Sequence, residues 1–156
     1  IDISEVNIRK AKKFLNDQGI RGSKLWSNDG VTIRCEDSYD VVFSVITLQH
    51  IASHQVRFRI LEQMFGALRP GGTLTFQMGF GSREDSVAYK DDFYDATSTN
   101  GSCDVRVESE SQILEDLESI GFVNVDFELG EPCHDLHEKW IWVMAMKPSQ
   151  SDPIET

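Results

Sequence analysis

The chain has 156 residues, enough for one hydrophobic core, and its 40% hydrophobic and 26% charged content is that of an ordinary globular protein. A formal net charge of −11 repels phosphate backbones and anionic membrane surfaces, so neither nucleic acid nor membrane is expected as a partner. No apolar run spans a bilayer, the first residues lack the basic and apolar regions of a signal peptide, and Cys35, Cys103 and Cys133 form no CxxC pair, which together predict a reduced protein in the cytoplasm.

In chain order, Ile1-Asp2-Ile3 reads as the end of a strand. Ser4 is a good N-cap for a helix whose Ile8, Ala11 and Leu15 share one stripe, and Gly19 stands where a helix-ending glycine belongs. A short strand is predicted at 24–27, followed by irregular chain through Asp37. Residues 39–46 (YDVVFSVI) are almost continuously apolar, the pattern of a strand buried on both faces. Ser53 caps a second helix with Val56, Ile60, Leu61, Met64 and Leu68 facing inward, and Arg69-Pro70-Gly71-Gly72 stops it. Residues 73–78 are the next strand. Residues 79–108 are rich in Gly, Ser, Asp and Asn and predict a long loop, of the kind that serves as a lid.

Ser109 with Gln112 three residues on makes a capping box for a third helix, which buries Ile113, Leu114, Leu117 and Ile120 and ends at Gly121. Residues 123–129 and 140–146 are strands joined without a helix, hence antiparallel. Residues 149–156 carry no apolar period and read as a flexible tail behind a domain at 1–148. Strands alternating with helices predict an α/β fold: a Rossmann-like, doubly wound, mostly parallel sheet, covered on both faces and closed by a C-terminal antiparallel strand pair.

Four segments in this order resemble the class I S-adenosylmethionine-dependent methyltransferases, in the flavour of the type 11/12 group: Ile1-Asp2-Ile3-Ser4, Asn28-Asp29-Gly30, the run from Asp37 through Ser44 into Leu48-Gln49-His50-Ile51, and Leu68-Arg69-Pro70-Gly71-Gly72-Thr73-Leu74. The resemblance implies S-adenosyl-L-methionine as cofactor, with Asp2 on the ribose hydroxyls, Ile3 against the adenine, Asp29 and Gly30 at the adenine amine and Ser44 on the floor of the site. It implies methyl transfer to a small-molecule acceptor in the intact protein. His50 is either a general base or a ring that shapes the turn. Tyr89 and Arg106 in the long loop, and His137 and Trp140 before the last strand, are candidate substrate contacts. No metal is expected: His134 and His137 have a His-x-x-His spacing but lack a clear third ligand.

The family's first strand and its Gly-rich loop have no counterpart, and the chain reads as truncated before the second strand. The first strand lies between the second and fourth in the family's sheet, so this segment alone is expected to be unstable and to bind cofactor poorly. A non-catalytic methyltransferase-like partner subunit and an NAD-dependent dehydrogenase are the alternative readings.

Overall fold

The computed structural model describes residues 1–33, 38–82, 86–91, 104–131 and 137–149. The three cysteines, His134 and residues 150–156 lie outside them. The chain divides into two compact units, 1–36 and 37–156.

In the first unit, helix α1 (Glu5–Asp17) begins where Ser4 accepts a hydrogen bond from the Asn7 amide. It ends at Gly19, whose φ of 69° lets the following amide of Ile20 return to the Leu15 carbonyl. The two strands expected around it reduce to a single parallel bridge, Asp2↔Ser27.

The second unit holds strand β1 (Tyr39–Ser44), a 3₁₀ turn (Leu48–His50), α2 (His54–Ala67), β2 (Leu68–Phe80), β3 (Val87–Ala88), β4 (Val105–Val107), α3 (Glu110–Ile120), β5 (Val123–Gly130) and β6 (Lys139–Met146). The sheet runs β3-β4-β2-β6-β5, with β1 also paired to β2. β1–β2, β2–β4 and β3–β4 are parallel, while β2–β6 and β5–β6 are antiparallel. The mostly parallel α/β sheet with an antiparallel C-terminal pair is therefore the architecture. β2 starts at Leu68 rather than Thr73, because the Pro-Gly-Gly stretch, with Gly71 at φ 78°, is tied to the end of β6: Gly71 N–H donates to the Lys147 carbonyl and Lys147 N–H to that of Gly72.

Leu74, Phe76 and Met78 of β2 and Ile141, Val143 and Ala145 of β6 are almost wholly buried, as are Ile113 and Leu117 of α3. α2 and α3 touch each other and pack on the sheet. The opposite sheet face is different. Val41 and Phe43 stand in register with Thr73 and Thr75, which stand in register with Met146 and Met144. On that face Phe43 is 71% and Met144 48% exposed. The expectation that 39–46 is buried on both faces is corrected: the helices of this unit cover one face only.

The long loop expected at 79–108 is also corrected, since it contributes β3 and β4 to the sheet. What holds that segment is electrostatic. Arg57, fully buried on α2, donates to the carbonyls of Ile51, Ala52 and Tyr89. Asp116, buried on α3, accepts from His54 Nε2 at 2.8 Å, the Tyr89 hydroxyl at 2.9 Å and Lys90 Nζ at 2.6 Å. Both charges occupy positions on inward faces where the sequence pattern predicted only apolar residues. Asp116 is tolerated because three donors meet its carboxylate, and Arg57 because both of its terminal nitrogens donate to backbone carbonyls.

Replacing Asp116 by Ala leaves three polar partners uncompensated and is expected to cost about 3–5 kcal/mol in urea unfolding. Tyr89 offers a spectroscopic check. Burial and then the Asp116 charge hold its phenol well above 10. An unfolded tyrosine titrates near 10, so this stabilisation is complete below pH 10 and is lost as pH rises beyond it. Of the three tyrosines in the chain, one is expected to stay protonated in the folded protein when exposed phenols ionise, and to titrate only as the fold melts. Ultraviolet titration reads this directly.

Candidate functional site

Within the first unit, residues distant in the chain are brought together by the Asp2↔Ser27 bridge. Asn28 N–H donates to the Asp2 carbonyl at 3.1 Å, placing Asn28-Asp29-Gly30 beside Asp2-Ile3. The Asp2 carboxylate accepts from Ser4 N–H at 2.7 Å on Oδ1 and from Asn7 Nδ2 at 3.3 Å on Oδ2. A carboxylate offers about four acceptor positions, so Asp2 is fixed in orientation and retains one position per oxygen, which fits a pair of ribose hydroxyls. Asp29 Oδ1 accepts from Val31 N–H at 2.9 Å and Thr32 N–H at 2.6 Å. The Thr32 and then the Val31 amide hold its pKa below the usual carboxylate value. Gly30 has φ 83°, and a Cβ there would lie 3.5 Å from Ile3 Cγ2. Ile3 itself is 70% exposed. The acceptor carboxylates and the apolar Ile3 fit the hydroxyl and amine donors and the ring of a nucleoside such as that of S-adenosylmethionine.

The second unit builds its polar cluster at the carboxyl end of β1. Ser44 is buried there, opposite Phe76 of β2. Two residues on, Ile46 has φ 51°, a costly conformation for a β-branched side chain. Its N–H donates to Gln77 Oε1 at 3.1 Å, and Gln77 Nε2 donates to Gln49 Oε1 at 3.1 Å. Because a backbone N–H can only donate, this relay fixes both amides. Gln49 Nε2 then faces inward, buried, with no hydrogen-bond partner among the described residues. His50 follows, with half its side chain open and Nδ1 3.2 Å from Asp104 Oδ1. His137, buried, brings Nε2 to 3.7 Å of the same oxygen.

The two candidate contacts from the long loop are placed as follows. Tyr89 is 1% exposed, with its hydroxyl on Asp116, so it is part of the core. The Arg106 guanidinium is committed to Glu108 through Nε at 2.9 Å and to the Ser86 carbonyl and hydroxyl. Trp140 is nearly buried and packs edge-on against Trp142. The sequence leaves Gln77 unmarked as a site residue, whereas Gln49 beside His50 and Asp104 in the candidate lid stretch read as ambiguous. Gln77 lies inside a strand.

The seat of His137 generates a prediction. A Cβ on Gly79 would lie 2.1 Å from His137 Nδ1. Gly79→Ala is therefore expected to expel the ring and to destabilise the fold by about 1–3 kcal/mol. Thermal melting and the imidazole resonances of His137 report the two effects.

The pattern of a methyltransferase domain family matches residues 1–72. No curated protein matches the chain. Among solved structures, a possible exported protein from Bordetella parapertussis is 15% identical with a TM-score of 0.66, over 94% of this chain and 52% of that one. A SAM-dependent methyltransferase from Methanosarcina mazei is 18% identical with a TM-score of 0.68, over 96% of this chain and 81% of that one. The [4+2]-cyclase SpnF is 13% identical with a TM-score of 0.66, over 94% of this chain and 64% of that one. The chain thus spans about half of the Bordetella protein and less than two thirds of the cyclase. No helix among the described residues is long and apolar enough to cross a membrane. Residues 1–72 carry the sequence pattern of a methyltransferase domain family, and the chain has the fold of the class I S-adenosylmethionine-dependent methyltransferases.

Proposed function

We propose that this chain carries the nucleoside-binding part of the cofactor site of a methyltransferase that acts, as the intact protein, on a small-molecule acceptor. The observation that carries the reading is the pairing of Asp2-Ile3 with Asn28-Asp29-Gly30 inside the segment that matches the methyltransferase domain. When bound, S-adenosylmethionine supplies a methyl group on a sulfonium, which is electrophilic without further activation. The protein's part is then to hold and to orient. Asp2, steered by Ser4 N–H and Asn7 Nδ2, accepts the ribose hydroxyls. Asp29, kept ionised by the Val31 and Thr32 amides, accepts from the adenine amine, and Ile3 covers the ring. Displacement at a methyl carbon gains most of its rate from alignment of the reacting atoms, so a fixed nucleoside end is the main requirement on this segment.

Titrating S-adenosylhomocysteine into the intact protein by calorimetry tests the reading. Binding is expected, weakened at least about tenfold by Asp2→Ala through the loss of two charge-assisted hydrogen bonds, with the helix content unchanged. A folded protein that binds no S-adenosylhomocysteine ends the enzyme reading and favours a non-catalytic methyltransferase-like subunit.

A further inference from the structure

We propose that Ile46 is a specificity-determining contact for the methyl acceptor, and that the acceptor carries an apolar body beside the atom that is methylated. This rests on the methyltransferase reading. Ile46 has φ 51°. Among the described residues, positive φ is otherwise taken by glycines and by Asn124, the residue types that adopt it with the least strain. A β-branched side chain crowds the backbone there and is a rare occupant. Glycine at this position would make the same turn without the strain. Burial does not offset it either: Ile46 is 44% exposed and its neighbour Val45 43%. The chain keeps an apolar, half-open side chain where the fold itself is better served by none.

The surroundings fasten that side chain in place. Ile46 lies between the end of β1 and the 3₁₀ turn. Its N–H donates to Gln77 Oε1 at 3.1 Å, and Gln77 Nε2 donates to Gln49 Oε1 at 3.1 Å. Gln77 and Gln49 are both fully buried, so the oxygen that receives the Ile46 N–H cannot swing out to solvent. Location is the second, independent pointer. β1 pairs with β2 as far as Ser44↔Phe76, and β4 joins β2 at Gly79↔Arg106. Ile46 therefore follows the carboxyl end of a parallel strand, where the partner of β2 changes. In open α/β sheets that is where ligands bind, and strained residues cluster at such sites.

The chemistry of the side chain selects which ligand it meets. Besides its sulfonium, S-adenosylmethionine carries an ammonium and a carboxylate, groups that call for polar partners. Its apolar surface, the adenine ring, goes to Ile3 under the proposed function. The exposed Val45–Ile46 surface is then left for the acceptor. An apolar contact of this kind discriminates between bodies that differ by single methylene groups.

The first measurement is thermal melting of Ile46→Gly in the intact protein. The expected melting temperature is equal to or above that of the unsubstituted protein, because glycine adopts positive φ without strain. A fall of more than about 5 °C means that the side chain holds the fold together, and overturns the proposal. That readout needs no enzymatic activity and no known substrate. The second measurement titrates acceptors into protein saturated with S-adenosylhomocysteine and follows the δ1 methyl resonance of Ile46. Glycerol, ethanolamine and mercaptoethanol are compared with phenol, phenylethylamine and thiophenol. The expected result is a saturable shift with at least one of the three aromatic acceptors and with none of the other three, the calorimetric affinity for that acceptor falling about tenfold or more in Ile46→Gly. No such shift with any aromatic acceptor, or an affinity that Ile46→Gly leaves unchanged, overturns the proposal. A comparable loss of S-adenosylhomocysteine affinity in Ile46→Gly gives the side chain to the cofactor and overturns it too. A folded protein that binds no S-adenosylhomocysteine, whatever the melting of Ile46→Gly, overturns the methyltransferase reading instead, so the two failures are told apart.

Discussion

Strand β2 has two edges, and three strands divide them. β6 takes one edge for eight residues, from Thr73 to Phe80. The other edge is shared in sequence: β1 pairs as far as Ser44↔Phe76, and β4 takes over at Gly79↔Arg106. Between them lies a two-residue gap at Gln77 and Met78 where neither strand supplies a backbone partner in these registers. The chain leaving β1 must turn away there, and the chain entering β4 must arrive. In open α/β sheets such a changeover is where crevices form and ligands bind. The polar groups of the second unit follow from this constraint. Ile46 is forced to φ 51° by the exit turn, Gln77 gives the hydrogen bond that the departing strand has lost, and Asp104 enters beside His50.

The buried charges serve the same changeover. The described residues between β2 and β4 are held by polar contacts as well as by the burial of Tyr89. Arg57 grips the backbone at Ile51, Ala52 and Tyr89, and Asp116 grips His54, Tyr89 and Lys90. Satisfied networks of this kind specify one arrangement more than they add net stability. They also explain why Tyr89, an aromatic in a polar stretch, is in the core and not at a substrate.

What the sequence made readable was mostly local. Ser4, Ser53 and the Ser109–Gln112 box start the three helices where they were expected, and Gly121 ends the third with φ 107°. These signals depend on a few neighbouring residues, so no knowledge of the rest of the chain is needed. The link between Asp2 and Asp29 was readable for a different reason: it came with an ordered set of motifs. Arg57 and Asp116 were hidden because their partners are backbone carbonyls and distant side chains, neither of which leaves a pattern along the chain. β3 and β4 are two and three residues long, shorter than any periodicity can register. The open sheet face was hidden too, since an apolar run reports that a strand could be covered on both faces and not that it is.

The contact between Gly79 and His137 reaches beyond this one molecule. The two positions are 58 residues apart in the chain, yet the ring of one fills the volume that a side chain of the other would need. Their identities are therefore coupled. Among relatives that keep this strand pairing, any side chain larger than hydrogen at the first position demands a smaller or redirected group at the second. The pair should change together or stay together through evolution, and a relative with alanine at the first position should lack the imidazole at the second.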